Sequence, residues 1–95
     1  MNTKSKKDKY KIDFNIVREE LNLLDPMGLS PGKFTPIDEY NVEIETILIK
    51  SNKTDDYSIL AKEMQAIFNK MFDENFKEEM FYDCAKRIIE RTQKK

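Results

Sequence analysis

The chain has 95 residues, of which 39% are hydrophobic and 37% are charged, and it carries a formal net charge of −1. A chain of this length forms one domain around one modest core, and its six Phe and four Tyr argue against disorder. Only two glycines and three prolines interrupt a composition rich in Glu, Lys, Leu and Ile, which favours helix over sheet.

The first predicted helix spans residues 10 to 24. Its apolar side chains recur at spacings of three and four, at Phe14, Val17, Leu21 and Leu24. The helix should stop at Asp25, because a residue that precedes proline is disfavoured in the helical conformation. Both glycines and all three prolines lie between residues 25 and 36, which predicts one long loop between the first and second helices.

The second helix should begin at Thr35, which suits the N-cap position, with Pro36 at the first helical position. It should run to Lys50. Because each residue rotates by about 100° around a helix, four of its apolar side chains share one face. This predicted core stripe consists of Tyr40, Ile44, Ile47 and Leu48.

The third helix has the strongest periodicity in the chain and should begin after Thr54 or one of the two Asp residues that follow it. Its predicted core face consists of Tyr57, Leu60, Ala61, Met64, Ile67, Phe68, Met71 and Phe72. The fourth helix should begin at Asn75, which together with Glu78 resembles a capping box. Its inner face should hold Met80 or Phe81, Cys84, Ala85 and Ile88. These patterns predict a compact all-α domain of four helices over residues 10 to 93.

Charge is distributed unevenly along the chain. Residues 1 to 11 carry five Lys and one Asp, whereas residues 12 to 90 carry 17 acidic and 9 basic residues, a net charge of −8. We therefore expect residues 1 to 9 to form a flexible basic tail. An acidic body repels nucleic acid and favours a basic protein partner, so binding of nucleic acid through the tail is the less favoured interpretation.

The residue types that usually carry enzyme chemistry are scarce. The chain has no His, and its single cysteine, Cys84, lies on the apolar face of the fourth helix, where a buried and inert thiol is expected. The sequence offers no disulfide, no zinc site and no glycine-rich phosphate loop. We expect a non-catalytic protein without a cofactor or a metal. No stretch resembles a signal peptide or a membrane span, which predicts a cytoplasmic location.

Two apolar residues of the second helix do not fit its core stripe. Val42 and Ile49 are seven positions apart and share one face, nearly opposite the stripe and among acidic residues. The loop that carries Met27, Leu29 and Phe34 could cover this face. Alternatively, the face is an apolar ridge rimmed by carboxylates that binds a basic protein, or it seals a homodimer. The contacts predicted for a bound partner are Asp38, Glu39, Val42, Glu43, Glu45 and Ile49.

Three segments resemble the YugE-like family of small bacterial helical proteins: LNLLDPMGL (21–29), DEYNVEIETI (38–47) and LAKEMQAIFNKMF (60–72). The family pattern has an Asn and an Asp-Pro pair, then a Tyr with a Glu three residues later, then a Lys-x-(Ile/Met)-Gln-x-Ile-(Phe/Tyr) run. The matching positions here are Asn22, Asp25, Pro26, Tyr40, Glu43, Lys62, Met64, Gln65, Ile67 and Phe68. The resemblance covers residues 14 to 90, implies an all-helical fold and supplies no activity. In size, acidity and lack of catalytic groups, such proteins resemble the small immunity proteins that accompany bacterial toxins.

We therefore expect a non-catalytic protein-binding module, most concretely an immunity-type inhibitor that binds a basic toxin through the acidic face of the second helix. Two alternatives stay open. One is a homo-oligomeric structural protein, and the other is a nucleic-acid accessory protein that uses the Lys-rich tail. The sequence is compatible with either a monomer or a homodimer.

Overall fold

The chain folds into four α-helices and contains no strand in the part that the computed structural model describes. These ranges are residues 3–29, 33 and 40–93 for the backbone. The helices are α1 Thr3–Leu24, α2 Asn41–Ser51, α3 Tyr57–Phe72 and α4 Tyr82–Gln93, and a short 3-10 helix, Glu78–Phe81, precedes α4. The predicted compact all-α fold is confirmed. None of the helices in these ranges combines the length and the apolar character needed to cross a bilayer.

The first helix begins at Thr3, seven residues before its predicted start. The Lys9 ammonium donates to Asp13 Oδ2 at 2.6 Å, one turn along the same helix, and to the Thr92 carbonyl oxygen at 3.3 Å. The second contact places a cation at the carboxyl-terminal end of α4, where the helix dipole favours it. Part of the predicted tail of residues 1 to 9 is therefore helical, and its last residue is bound to the rest of the domain.

The core stripes predicted for the four helices meet in one cluster. Its largest fully buried members are Tyr40, Phe68, Phe81, Leu21, Ile44, Ile47, Leu48, Leu60, Met64, Ile88, Val17 and Cys84. The four residues of the predicted α2 stripe are all among them. Tyr57 and Met71 lie on the predicted α3 stripe but are 44% and 51% exposed, because they occupy its first turn and its last turn.

The helix boundaries next to the long loop follow from local hydrogen bonds. The first helix ends as predicted, because Asp25 takes a left-handed conformation (φ 49°) and its amide donates to the Leu21 carbonyl at 2.7 Å. Gly28 is also left-handed, at φ 67°, a conformation that glycine adopts without steric cost. The second helix begins at Asn41, and the predicted N-cap residue Thr35 lies outside the described residues.

The third helix begins directly after one of the residues that the sequence indicated, since Tyr57 follows Asp56. The Asp56 carboxylate accepts hydrogen bonds from the amide and the hydroxyl of Ser58, at 2.9 and 2.7 Å. These bonds stabilise the charged form and lower the pKa of Asp56. Asp56 is therefore the N-cap of α3.

The capping box predicted at Asn75 and Glu78 is wrong. The residue before the 3-10 helix is Lys77, which has an extended backbone and no side-chain cap. The chain is held here by α3 instead: the Phe76 amide donates to Asn69 Oδ1 at 2.7 Å, and the Phe76 carbonyl accepts from Asn69 Nδ2 at 3.1 Å. Gln65 Nε2 donates to the same carbonyl at 2.9 Å. Because α3 supplies these partners, the link needs no cap from its own side chains.

A buried carboxylate joins α1 to α4. Glu20, whose side chain is 7% exposed, accepts from Arg87 Nε at 2.7 Å and from an Arg91 guanidinium nitrogen at 2.9 Å. The other terminal nitrogen of Arg91 donates to the exposed Glu19 at 2.7 Å. The pKa values of both arginines are raised, chiefly because their protonated forms donate these hydrogen bonds.

Candidate functional site: the outer face of α2 and its groove with α1

Three side chains form an exposed strip along α2. Val42 and Ile49 are 60% and 56% exposed, and Glu45 between them is also exposed. Their spacings of three and four place them on one face of the helix, opposite the buried stripe. We call Val42, Glu45 and Ile49 the α2 ridge. Large apolar side chains in this setting contribute nothing to the core of the domain.

Two of the three loop residues that were expected to cover Val42 and Ile49 pack elsewhere. Met27 and Leu29 are partly buried against the hydrophobic core, at the end where Tyr40 lies. Phe34 lies outside the described residues. Since Val42 and Ile49 are both more than half exposed, they form a surface feature and are not a second core face.

The acidic rim differs from its prediction. Glu43 is only 5% exposed and its charge acts on the buried Tyr40 hydroxyl, so it faces into the domain. The reason is geometric: one residue after Val42 is about 100° further around the helix. Asp38 and Glu39 lie outside the described residues. Of the six predicted contact residues, the structure brings together Val42, Glu45 and Ile49.

A groove between α1 and α2 continues the ridge. It has a volume of about 390 Å³ and is lined by Tyr10, Lys11, Phe14, Asn15, Arg18 and Glu45. Glu45 therefore belongs to both features. We call this the α1–α2 groove. Sequence reasoning missed it, although Tyr10, Phe14 and Arg18 recur every four residues and so mark one face of α1.

The groove has an aromatic wall with a cation over it. The Tyr10 and Phe14 rings have centroids 6.2 Å apart, and the Arg18 guanidinium carbon lies 5.4 Å from the Phe14 centroid. This distance is within the range of a cation–π interaction. Tyr10 is 52% exposed, so the wall is open to solvent at its amino-terminal end.

A second cleft, of about 660 Å³, lies at the end of the domain where α2 and α4 finish. Its lining is polar: Lys9, Asn52, Lys53, Thr54, Asp55, Thr92 and Gln93. Gln93 Nε2 donates to the carbonyl oxygens of Ser51 and Thr54, at 3.3 and 3.0 Å. Together with the bond from Lys9 to Thr92, these contacts tie the chain segments of this end together.

The described part of the chain offers little reactive chemistry. Cys84 is 1% exposed, and burial raises the pKa of its thiol to about 12, with a further rise from the nearby Glu20 charge. The thiol is therefore protonated at neutral pH and is a poor nucleophile. Among the residues described, no group of three or more Cys, Asp or Glu side chains is arranged to hold a metal ion.

No protein-family model, no curated protein and no solved structure matches this chain. The resemblance to the YugE-like family therefore stays a prediction. The structure nevertheless gives physical roles to residues that carry it. Tyr40 and Asp25 contact each other, Gln65 holds the α3–α4 link, and Glu43 faces inward.

Proposed function

We propose that the protein is a non-catalytic binding module that docks another protein on the α2 ridge and the adjoining α1–α2 groove. The observation that carries the proposal is the exposure of Val42 and Ile49, two turns apart on one face of α2, while the buried stripe of the same helix fills the core. Apolar side chains that stabilise no core and stand at a groove are typical of a protein interface.

The partner that we propose is a basic protein. Residues 12 to 90 carry a net charge of −8, although the Lys-rich start of α1 brings the whole chain to −1, so this acidic part of the domain attracts positively charged proteins over a distance of about one Debye length. The most concrete form is an immunity-type inhibitor that acts in the cytoplasm and blocks a basic toxin stoichiometrically. Glu45 is the one predicted rim carboxylate in the described ranges that is exposed beside the apolar contacts.

A second candidate is a homodimer formed through the same surface. The observation in its favour is that the groove holds both signs of charge, Lys11 and Arg18 on α1 and Glu45 on α2. A twofold interface needs a self-complementary patch, and apolar residues flanked by both charges satisfy this condition. Light scattering at high micromolar concentration decides between the two, because a monomer at that concentration excludes the homodimer.

The test begins with affinity capture from the native lysate by the wild type and by a Val42→Arg/Ile49→Arg variant. The captured protein is then purified, and its binding is measured by calorimetry. Central apolar anchors each contribute about 2 kcal/mol or more, so the double variant should bind at least about a hundredfold more weakly. Glu45→Lys should slow association and flatten its salt dependence.

The matched control is Ile12→Arg/Leu23→Arg, which adds the same charge. Ile12 and Leu23 are 59% and 73% exposed and lie on one face of α1, eleven residues apart, away from the groove. Circular dichroism establishes that both variants are folded. If the control and the ridge variant bind the captured protein equally, the ridge is not the docking surface and the proposal fails.

A further inference from the structure

We infer that the α1–α2 groove anchors a partner segment in which one carboxylate stands next to an apolar side chain, with Arg18 as the group that binds the carboxylate. The inference rests on the proposed function and adds the chemistry of the bound segment. It concerns the local recognition in the groove, whereas the net charge of the domain governs the long-range attraction of the whole partner.

Arg18 carries the first part of the argument. Its Nε is fully buried and has no hydrogen-bond partner in the ranges that the structure describes. No ligand reaches a fully buried nitrogen, so the donors for a carboxylate are the two terminal guanidinium nitrogens, which form no ion pair with any residue described. The guanidinium is already held over the Phe14 ring, 5.4 Å from its centroid, so little side-chain entropy is lost when a carboxylate pairs with its planar fork.

Lys11 carries the second part. It lines the same groove, seven residues before Arg18 on α1, and forms no ion pair with any residue described. The described charges of the groove are two cations and the single anion Glu45, a net positive charge within an acidic domain. By contrast, Arg87 and Arg91 are both paired to carboxylates. The groove thus holds two cations that no described carboxylate pairs with.

The remaining lining defines the rest of the segment. Tyr10 and Phe14 present an aromatic wall, and the groove volume of about 390 Å³ lies at the lower end of the range for binding pockets. An apolar side chain therefore fits beside the carboxylate. Glu45 on the opposite wall repels a second acid, so a run of acidic residues is disfavoured and a single carboxylate flanked by apolar residues is preferred.

The experiment is a titration of ¹⁵N-labelled protein with three acetylated and amidated tripeptides: Leu-Glu-Leu, Leu-Gln-Leu and Leu-Lys-Leu. The direct reporters are the Arg18 Nη–H resonances, which should move downfield when a carboxylate accepts hydrogen bonds from these terminal nitrogens. When the Glu peptide is added, we expect saturable chemical-shift changes in the backbone amide resonances of Phe14, Arg18 and Glu45. Binding of the Gln peptide should be about tenfold weaker, because a charge-assisted hydrogen bond is replaced by a neutral one.

Arg18→Gln should reduce the affinity for the Glu peptide to that for the Gln peptide, and Lys62→Gln is the control with the same loss of charge on an exposed site of α3. If Arg18→Gln does not fold, a weaker affinity of Lys11→Gln for the Glu peptide and the downfield movement of the wild-type Arg18 Nη–H resonances test the same inference. Equal affinities for the three peptides, shifts outside the groove, or shifts that depend on protein concentration without peptide would overturn the inference. The first two outcomes leave the proposed function intact if capture still depends on Val42 and Ile49.

Discussion

The Tyr40 hydroxyl donates a hydrogen bond to Asp25 Oδ1 at 2.9 Å, and it accepts one from the Met27 amide at 3.1 Å. The same Asp25 oxygen accepts from the Leu29 amide at 2.9 Å. Tyr40 is completely buried, and its ring lies 5.7 Å from the Phe68 ring in an edge-on arrangement. One side chain therefore connects the end of α1, the first turn of the loop and the core, and it fixes where α2 begins.

Tyr40→Phe should destabilise the fold without changing the shape of the core. The variant keeps the ring but removes the hydroxyl, so the Met27 amide loses its acceptor and the Asp25 carboxylate loses a donor. Leaving such buried groups without partners costs about 1–3 kcal/mol. Urea denaturation should show a lower midpoint with an unchanged slope.

Tyr57→Phe is the matched control for this substitution. Tyr57 is 44% exposed, and its hydroxyl makes no hydrogen bond within the described ranges, although its ring contacts the Tyr82 ring. Its free energy of unfolding should stay within about 0.5 kcal/mol of wild type. Equal effects of the two substitutions would mean that the Tyr40 hydroxyl network does not stabilise the domain.

Stability should fall with rising pH between pH 10 and pH 12. Burial raises the pKa of Tyr40 from 10.0 to about 12. The hydrogen bond to Asp25 and the charges of Asp25 and Glu43 add smaller increases, whereas the hydrogen bond from the Met27 amide lowers the pKa. Above pH 10 the unfolded chain releases this proton and the folded chain retains it. The free energy of unfolding therefore decreases until the pH reaches the folded pKa.

Cys84 acts in the same direction, since burial raises its pKa from 9.0 to about 12. Urea titrations at successive pH values should show the decline, and it should be shallower in Tyr40→Phe than in wild type. Tyrosinate absorbance provides the independent check, because the difference between wild type and Tyr40→Phe should appear near pH 12 in the folded protein. A Tyr40 that ionises at pH 10 in the folded protein would contradict this prediction.

Glu20→Gln should cost more stability than Glu19→Gln, although both residues contact Arg91. Glu20 is buried between two guanidinium groups that are about two-fifths exposed, so the loss should be about 1–2 kcal/mol. Glu19 is 64% exposed at its side chain, and a surface ion pair of this kind contributes at most about 1 kcal/mol. Thermal unfolding of the two variants compares their losses of stability. Equal losses for Glu20→Gln and Glu19→Gln would contradict this prediction.

The helical fold could be predicted from the sequence because apolar residues recur at the spacing of an α-helix. The stripe of Tyr40, Ile44, Ile47 and Leu48 is fully buried as the angles required, and so are Cys84, Ala85 and Ile88 on α4. The exposure of Val42 and Ile49 follows from the same angles, since a stripe of ordinary width does not reach the opposite side of its helix. What the pattern could not decide was whether another segment covers them.

The predictions from sequence that proved wrong or incomplete all concern features that depend on tertiary contacts. The pattern treated every acid beside Val42 as part of one rim, but Glu43 lies on the flank that packs inward. The groove was missed because it depends on how α1 lies against α2, which no local pattern encodes. In the α3–α4 link, the amide and carbonyl of Phe76 are bound by side chains of a preceding helix, so local capping residues gave the wrong start for α4.

The clearest test of that last point compares two asparagines. Asn69→Ala removes both the acceptor for the Phe76 amide and a donor to its carbonyl, and it should cost about 1–3 kcal/mol. Asn75→Ala replaces an exposed residue that makes no hydrogen bond in the described part of the chain, and it should change stability by less than about 0.5 kcal/mol.

Hydrogen exchange should show faster exchange of the Phe76 amide only in Asn69→Ala, since the carbonyl keeps its bond from Gln65 but the amide has no other acceptor. If Asn75→Ala were the more damaging change, the capping box would be restored and the link would be held by its own side chains.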